Sequence, residues 1–342
     1  MPGNATDHAR EAVTRPTMKD VATAAGVGLK TVSRVVNGEK GVSEATAAHV
    51  LRVIEQLGFR RNDSARILRQ GRHTGSVGLI IEDLSDAFYS QLSWAVEQLA
   101  SAFGSLLLIG SSAEDASREQ ELATAFSARR VDGLIIVPTA ADHRYLAPEM
   151  AAGMAVVSVD RPASGLDVDT VLSTNLEGAL EAVAHLLRWG HQRIGFIGDR
   201  SDIFTAAERL SGYRQAMAEA GYPIHDSWVS MGALDPVRIR ITLNRMFSGP
   251  EPVTALMCGN NRTTAVVLRE LARFPHRLAL VGFDDFEFAD LLGITVVAQD
   301  PVQLGRTATE LLFGRLSGEQ APSQRIEIPT RLILRGSAEL PP

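Results

Sequence analysis

Apolar positions along this chain change their period near residue 75. Before it they recur three and four residues apart: Met18, Val21, Ala22 and Ala25, then Val32, Val35 and Val36, then Ala47, Val50, Leu51, Ile54 and Leu57. That spacing lines one face of a helix and predicts three short helices sharing a small core. Thr17 and Ser43 stand where helix caps belong, Glu44 lies in a first turn where a carboxylate is favoured, and Gly26 and Gly58 stand where helices end. Val27-Gly28 leaves room only for a tight turn, so the first helix and the second, predicted over residues 29–37, must cross.

After residue 75 the period gives way to short continuous apolar runs: Ser76 to Ile81, Ser105 to Ile109, Gly133 to Val137, Ala155 to Val159, Arg193 to Ile197, Thr254 to Cys258 and Arg277 to Phe283. Amphipathic helical stretches separate them. Strands apolar on both faces, alternating with helices, predict buried parallel sheets. Roughly 260 residues of this pattern exceed one sheet's usual domain, so two doubly wound subdomains are expected behind the small all-α front unit. Ligands of such sheets bind beyond the carboxyl ends of the strands. The polar residues there are Asp160 and Arg161, Asn260 and Asn261, and Asp284 and Asp285.

Charge sharpens the division. Residues 1–72 hold 12 Lys and Arg against 7 Asp and Glu, including all three lysines of the chain, Lys19, Lys30 and Lys40. The rest is acidic enough to bring the total to −6. A basic head on an acidic body separates a polyanion-binding part from a part that needs none. The outward face of the second helix carries Leu29, Lys30, Ser33, Arg34 and Asn37. A helix in the DNA major groove needs such long donors for base edges, with hydroxyls and amides for phosphates. A three-helix protein-interaction module fits the same pattern.

Between head and body, residues 62–70 form a helix-compatible run of about two turns, too short to be stably helical alone. Arg60, Arg61, Arg66 and Arg69 attract phosphate, while Ala65 and Leu68 could press an apolar edge into another surface. A solvated basic linker is the other reading.

Several classes find no support. Met1 to Arg15 lacks the apolar core of a secretory signal, and no run of 18 apolar residues follows, which predicts a cytoplasmic chain without membrane contact. The single cysteine, Cys258, lies in an apolar run and reads as core, excluding an internal disulfide. No nucleophile elbow, phosphate loop or histidine pair at metal-ligand spacing occurs, so neither enzyme, cofactor nor metal is expected. Gly195-Phe196-Ile197-Gly198 lacks the third glycine of a dinucleotide fingerprint and reads as strand plus turn. His49, His185 and His191 read as helix-surface or turn residues.

Met18-Lys19-Asp20-Val21-Ala22, Ala25-Gly26-Val27 and Thr31 to Gly38 together resemble the helix-turn-helix headpiece of the LacI/GalR family of transcription regulators, nearly position by position. The resemblance implies that Leu29, Lys30 and Arg34 read bases, and that Thr31, Ser33 and Asn37 contact phosphates or brace the helix. Thr17 joins the DNA contacts. Gly28 stands where the family usually has Ser, leaving the second helix without its side-chain cap. Residues 62–70 match the family's hinge helix, which folds on operator DNA beside its dimer mate. Asn62, Ala65 and Leu68 would then contact DNA, with Leu68 as the minor-groove wedge. Arg61 replaces the usual proline.

The resemblance extends over residues 17–338 and implies a periplasmic-binding-protein-like sensor. Its implied organisation is a disordered tail (1–16), headpiece (17–61), hinge and linker (62–74), one subdomain from 75–172 and 301–328, and another from 173–300 and 329–340. Phe88, Tyr89, Asp160 and Arg161 would meet the effector from the first subdomain, and Thr205, Arg209, Asn260, Asp284 and Gln299 from the second. Local readings compete: Phe88 and Tyr89 could start a helix's core face, Thr205 with Glu208 forms a capping-box pattern, Asn261 could cap the next helix, and Asp285 could be an exposed turn residue. Ile203 replaces an arginine of purine sensors, and Leu234 and Asn261 depart from a common aromatic and Asp. Carboxylates, amides and aromatic walls suit a polyhydroxyl ligand, since each hydroxyl donates and accepts. The implied partners are double-stranded operator DNA, a sugar-like effector and a second copy of the chain. The end after Ile333, without apolar heptads, speaks against a coiled-coil tetramer.

Overall fold

The structure, a computed structural model, describes residues 16–59, 74–274 and 278–342. Backbone contacts divide the chain into two units, residues 1–72 and 73–342.

In the amino-terminal unit, α1 (Met18–Ala24), α2 (Leu29–Val36) and α3 (Glu44–Leu57) enclose a core of Val21, Ala22, Ala25, Val32, Val50 and Val53. The Asp20 carboxylate accepts from both the hydroxyl and the backbone N–H of Thr17, each at 2.7 Å, and these bonds hold it below the usual carboxylate range. Gly26, at φ 64°, ends α1 in a conformation that a side chain would oppose. Gly28 precedes α2 without a side-chain cap, whereas Ser43 Oγ accepts from Thr46 N at 3.2 Å. The inward face of α3 differs from the expected stripe. Leu51 and Leu57 are 54% and 37% exposed, and Val53 is buried instead. Position 51 lies about 100° around the helix from Val50, while 53 and 54 return to its face.

The larger unit contains two six-stranded sheets. The first comprises β1 (Ser76–Ile81), β2 (Leu106–Ser111), β3 (Gly133–Ile136), β4 (Ala155–Val159), β5 (Asp169–Ser173) and β11 (Arg325–Ile328), in the order β11-β5-β4-β3-β1-β2. The second comprises β6 (Ile194–Gly198), β7 (Val229–Met231), β8 (Ala255–Cys258), β9 (Ala279–Phe283), β10 (Thr295–Ala298) and β12 (Arg331–Ile333), in the order β12-β10-β9-β8-β6-β7. The two orders are the same pattern twice. All paired strands run parallel except β10 and β12. Strands β5, β7, β10, β11 and β12 were not among the expected seven. They are three to five residues long, and the two last in the chain, β11 and β12, are partly exposed, so they stand out weakly as apolar runs.

Helices α4 (Ala87–Ala102), α5 (Ala116–Ala128), α6 (Ala147–Ala151) and α11 (Pro301–Leu316) cover the first sheet. The second is covered by α7 (Asn175–Arg188), α8 (Phe204–Glu219), α9 (Pro236–Ser248) and α10 (Asn261–Leu271). The chain passes between sheets after β5, after β10 and after β11. Two passages are tied together, since Thr330 N donates to Thr174 Oγ1 at 2.9 Å.

Two histidines expected at the surface are buried in the second subdomain. His185 Nε2 lies 2.5 Å from Glu339 Oε1, and His191 bonds Thr254 Oγ1 and the Leu340 carbonyl, both at 2.9 Å. Both anchor residues 339–340, contacts 154 and 149 residues away in sequence that local pattern does not carry. Asp285 likewise is no free turn residue: Arg335 grips its carboxylate at 2.7 and 2.8 Å.

Candidate functional site

On α2, Leu29 and Lys30 are exposed, while Thr31, Ser33, Arg34 and Asn37 are half-buried. Val32 is fully buried and pins the opposite face. Asn37, which closes the helix, donates to Ser33 Oγ at 3.4 Å and to Glu39 Oε1 at 3.2 Å, so these residues brace the helix end. Lys30 and Arg34, four apart, project from the same face. Asn62, Ala65 and Leu68 lie outside the described residues.

In the larger unit, the carboxyl ends of both sheets face one cleft. The nine effector candidates all line it: Phe88, Tyr89, Asp160 and Arg161 from the first subdomain, and Thr205, Arg209, Asn260, Asp284 and Gln299 from the second. Its free volume is about 50 Å³, far below the roughly 300–1,000 Å³ of ligand pockets. The two walls are in contact. Asn261 Nδ2 donates to Asp86 Oδ1 at 2.9 Å, and Arg262 Nη1 lies 3.5 Å from Glu82 and 3.6 Å from Asp83.

The first wall is built around Arg161, which is 5% exposed. Its Nη2 sits 3.1 Å from Glu82 and 2.6 Å from Glu114, and Nε is 3.7 Å from Asp160 Oδ2. Burial works against its charge, but Tyr89, Glu114 and Asp160 hold the guanidinium firmly protonated. The Tyr89 hydroxyl is 3.2 Å from both Glu82 Oε2 and Asp160 Oδ2. The phenolic proton is shared between the two acceptors. Burial, and after it neighbouring Glu114, push Glu82 up to about 8, outweighing Arg161 and Arg262. Burial also raises Asp160.

In the second wall, Arg209 extends from α8 with Nε 2.8 Å from Asn175 Oδ1 and Nη1 2.7 Å from the Gly259 carbonyl. Its guanidinium carbon lies 3.9 Å above the Phe283 ring and Nη1 is 3.7 Å from Asp284. Gln299 Nε2 donates to Asp284 Oδ1 at 2.6 Å. Burial raises Asp284 despite these partners.

The competing local readings resolve individually. Phe88 and Tyr89 belong to the core and also line the cleft. Thr205 is not a cap, because α8 starts one residue earlier, at Phe204 after Ile203, which leaves Thr205 buried beside the cleft. Asn260, not Asn261, caps α10, its Oδ1 accepting from Thr263 N at 2.7 Å, so Asn261 is free to reach across to Asp86. Glu82, Asp86, Asp199 and Arg262 also line the cleft and were missed. Glu82 and Asp199 follow β1 and β6 as Asp160 follows β4, so the strand-end rule, applied to every strand, finds them.

Residues 74–335 match the family described as periplasmic binding proteins and sugar binding domain of LacI family, and residues 17–62 match bacterial regulatory proteins of the lacI family. The maltose regulon regulatory protein MalI of Escherichia coli is 32% identical over 338 residues, spanning 93% of this chain and 97% of MalI. GalR of Escherichia coli is 30% identical over 331 residues, 95% of this chain and 96% of GalR. A complex of the transcriptional regulator CelR with cellobiose is 29% identical with a TM-score of 0.68, covering 94% of this chain and all of CelR's (100%). The lac repressor dimer bound to operator and the anti-inducer ONPF shares the fold at a TM-score of 0.77 and 22% identity, covering 95% and 99% of the two chains. With a three-helix unit that presents a basic helix face and a two-sheet body that closes over a polar cleft, the chain belongs to the LacI family and is a DNA-binding transcription regulator.

Proposed function

We propose that this regulator represses transcription by binding a near-palindromic operator as a homodimer, and that a sugar-class effector between the two sheets sets its affinity for DNA. Lys30, Arg34 and Leu29 reach base edges; Thr17, Thr31, Ser33 and Asn37 hold phosphates or brace α2. Asn62, Ala65 and Leu68 act at the hinge, with Leu68 as the wedge. The names of the relatives support the effector class: CelR is found with cellobiose, and MalI with a maltose regulon. The lac repressor, found as a dimer on operator, supports the assembly, since a two-fold protein matches a two-fold site. Acting on DNA, the protein works in the cytoplasm at the nucleoid.

The observation that carries the effector reading is the pair of buried acceptors left without a hydrogen-bond partner, Asp160 Oδ1 in one wall and Gln299 Oε1 in the other. A polyhydroxyl ligand donates to both and bridges the walls. Since the cleft is shut on about 50 Å³, the walls part to admit a sugar ring and close on it differently. That difference between liganded and unliganded closure is what DNA affinity can follow. Footprinting on promoter DNA with a thermal-shift screen of sugars tests the whole reading. A protected near-palindrome whose occupancy changes with a stabilising sugar is the expected result. Equal affinity for random and promoter DNA would refute the regulator's site specificity, and a response confined to non-sugars would refute the effector class.

A further inference from the structure

The cleft has more acid than base. Five carboxyl groups line it, those of Glu82, Asp86, Asp160, Asp199 and Asp284, against the guanidiniums of Arg161, Arg209 and Arg262, and acid stays in excess even with Glu82, raised to about 8, protonated. Each guanidinium is already committed: Arg161 to Glu82 and Glu114, Arg209 to Asn175 and the Gly259 carbonyl, and Arg262 to Glu82 and Asp83. An anionic ligand group finds no uncommitted cation here. What stands open is acceptor capacity. Asp160 is 2% exposed, lines the cleft, and its Oδ1 has no hydrogen-bond partner; Gln299 Oε1 is in the same condition. Arg161 Nε also makes no hydrogen bond, but it stands 3.7 Å from Asp160 Oδ2.

Resting on the reading of the cleft as a sugar-class effector site, we propose that its ligand is a cationic one, an amino sugar or amino polyol, with its ammonium against Asp160 and its hydroxyls reaching Gln299. An ammonium carries three donors and no acceptor, the complement of a wall with spare acceptors and surplus negative charge. The groups facing Glu82 support this: Glu114, Arg161 and Arg262 directly, and Asp160 through the Tyr89 hydroxyl. Burial and Glu114 lift Glu82 to about 8, so near neutrality the closed cleft holds a proton where positive charge is short. A ligand cation supplies that charge instead, and the proton leaves.

The test uses the full chain near pH 7 with matched sets: glucose, glucosamine and glucose 6-phosphate, then galactose, galactosamine and galacturonate. Titration calorimetry in two buffers of different ionisation enthalpy reads both affinity and proton release. An amine member should bind about tenfold tighter than its neutral parent, the acidic members should not bind, and binding should release protons. Asp160→Asn should remove the amine's advantage over its neutral parent. Binding of the neutral parent equal to or tighter than the amine, or binding of an acidic member, overturns the proposal and leaves the sugar reading intact. Failure of every member of both sets, with the operator footprint intact, overturns the sugar reading and this proposal together.

Discussion

Asp160 and Asp284 are equivalent residues of a repeated subdomain. Each directly follows the fourth strand of its sheet, at φ 68° and 69°, and each donates its backbone N–H at 2.8 Å to the next strand, at Val171 and Val297. Both side chains are nearly fully buried in the same cleft, and each carboxylate lies beside the guanidinium of its own wall. A left-handed φ is uncommon outside glycine and is tolerated best by Asp and Asn, whose polar side chains bond locally. The turn aims a short acceptor from each sheet into the space between them.

Asp160→Ala and Asp284→Ala should therefore weaken effector binding alike, by about 10- to 100-fold, the cost of removing a charged hydrogen-bonding partner. Operator affinity without effector should stay within about twofold. Calorimetry and gel-shift titration read the two quantities. Loss of operator binding in either variant would place the pair in the scaffold rather than in ligand recognition.

Asn261→Ala removes the 2.9 Å bond to Asp86 that ties the walls together. Asp86 keeps its second role, accepting from Phe88 N at 2.9 Å at the start of α4. A hydrogen bond to a charged group contributes about 1.5–3 kcal/mol, so the variant should shift the cleft toward open. Its effector association rate should rise and its small-angle scattering radius increase. An unchanged scattering curve and rate would show that the bond contributes nothing to closure.

Much of this was legible in order but not in partnership. The strand-end rule located Asp160, Asn260 and Asp284 because continuous apolar runs precede them, and the head's helices were written in three- and four-residue spacing. What the sequence hid is long-range. Asn261 meeting Asp86 and His185 meeting Glu339 join positions 175 and 154 residues apart. The repeat itself was hidden because β7 and β12 have three residues each and β12 turns antiparallel. Thr205 was misread for a different reason. A Thr three residues before a Glu satisfies the capping pattern, yet Phe204 already begins the helix.

The Glu82 carboxyl predicts how stability follows pH. Its folded value, about 8, lies above the ordinary 4.5, so the folded state binds the extra proton. Its contribution is full below about 4.5 and is lost as pH rises through 8. Denaturation of the sensor between pH 5 and 8 should show a decline of up to about 3 kcal/mol, which Glu82→Gln should flatten. A variant with the wild-type slope would assign the decline to other groups.

Gly212 marks the tightest helix contact. A Cβ there would collide with the Leu176 carbonyl, where α8 crosses α7, and at the equivalent crossing of the first subdomain a Cβ at Gly305 would lie 2.7 Å from the Leu92 carbonyl. Backbone cannot yield as a side-chain tip can, so Gly212→Ala should cost about 1–3 kcal/mol. Its thermal midpoint should fall by several degrees, further than that of Gly249→Ala, where φ is −69° and a Cβ would meet only an ordinary contact at 3.4 Å. A smaller loss for Gly212→Ala than for Gly249→Ala would mean that the helices separate freely.

Lys30 and Arg34 should divide specificity from general attraction. Both belong to one exposed helix face, but Arg34 is half-buried with its Nη1 near the turn at Gly41, whereas Lys30 is exposed. A guanidinium held in place can meet guanine bidentately, a contact that discriminates by about 1–3 kcal/mol. A mobile ammonium acts more as a charge. Arg34→Ala should thus reduce operator affinity about 10- to 100-fold while changing random-DNA affinity little, measured by competition gel shift. Lys30→Ala should weaken both and lower the slope of log affinity against log salt by about 1. Equal losses on operator and random DNA for Arg34→Ala would make it a phosphate contact and leave base reading to other residues of α2.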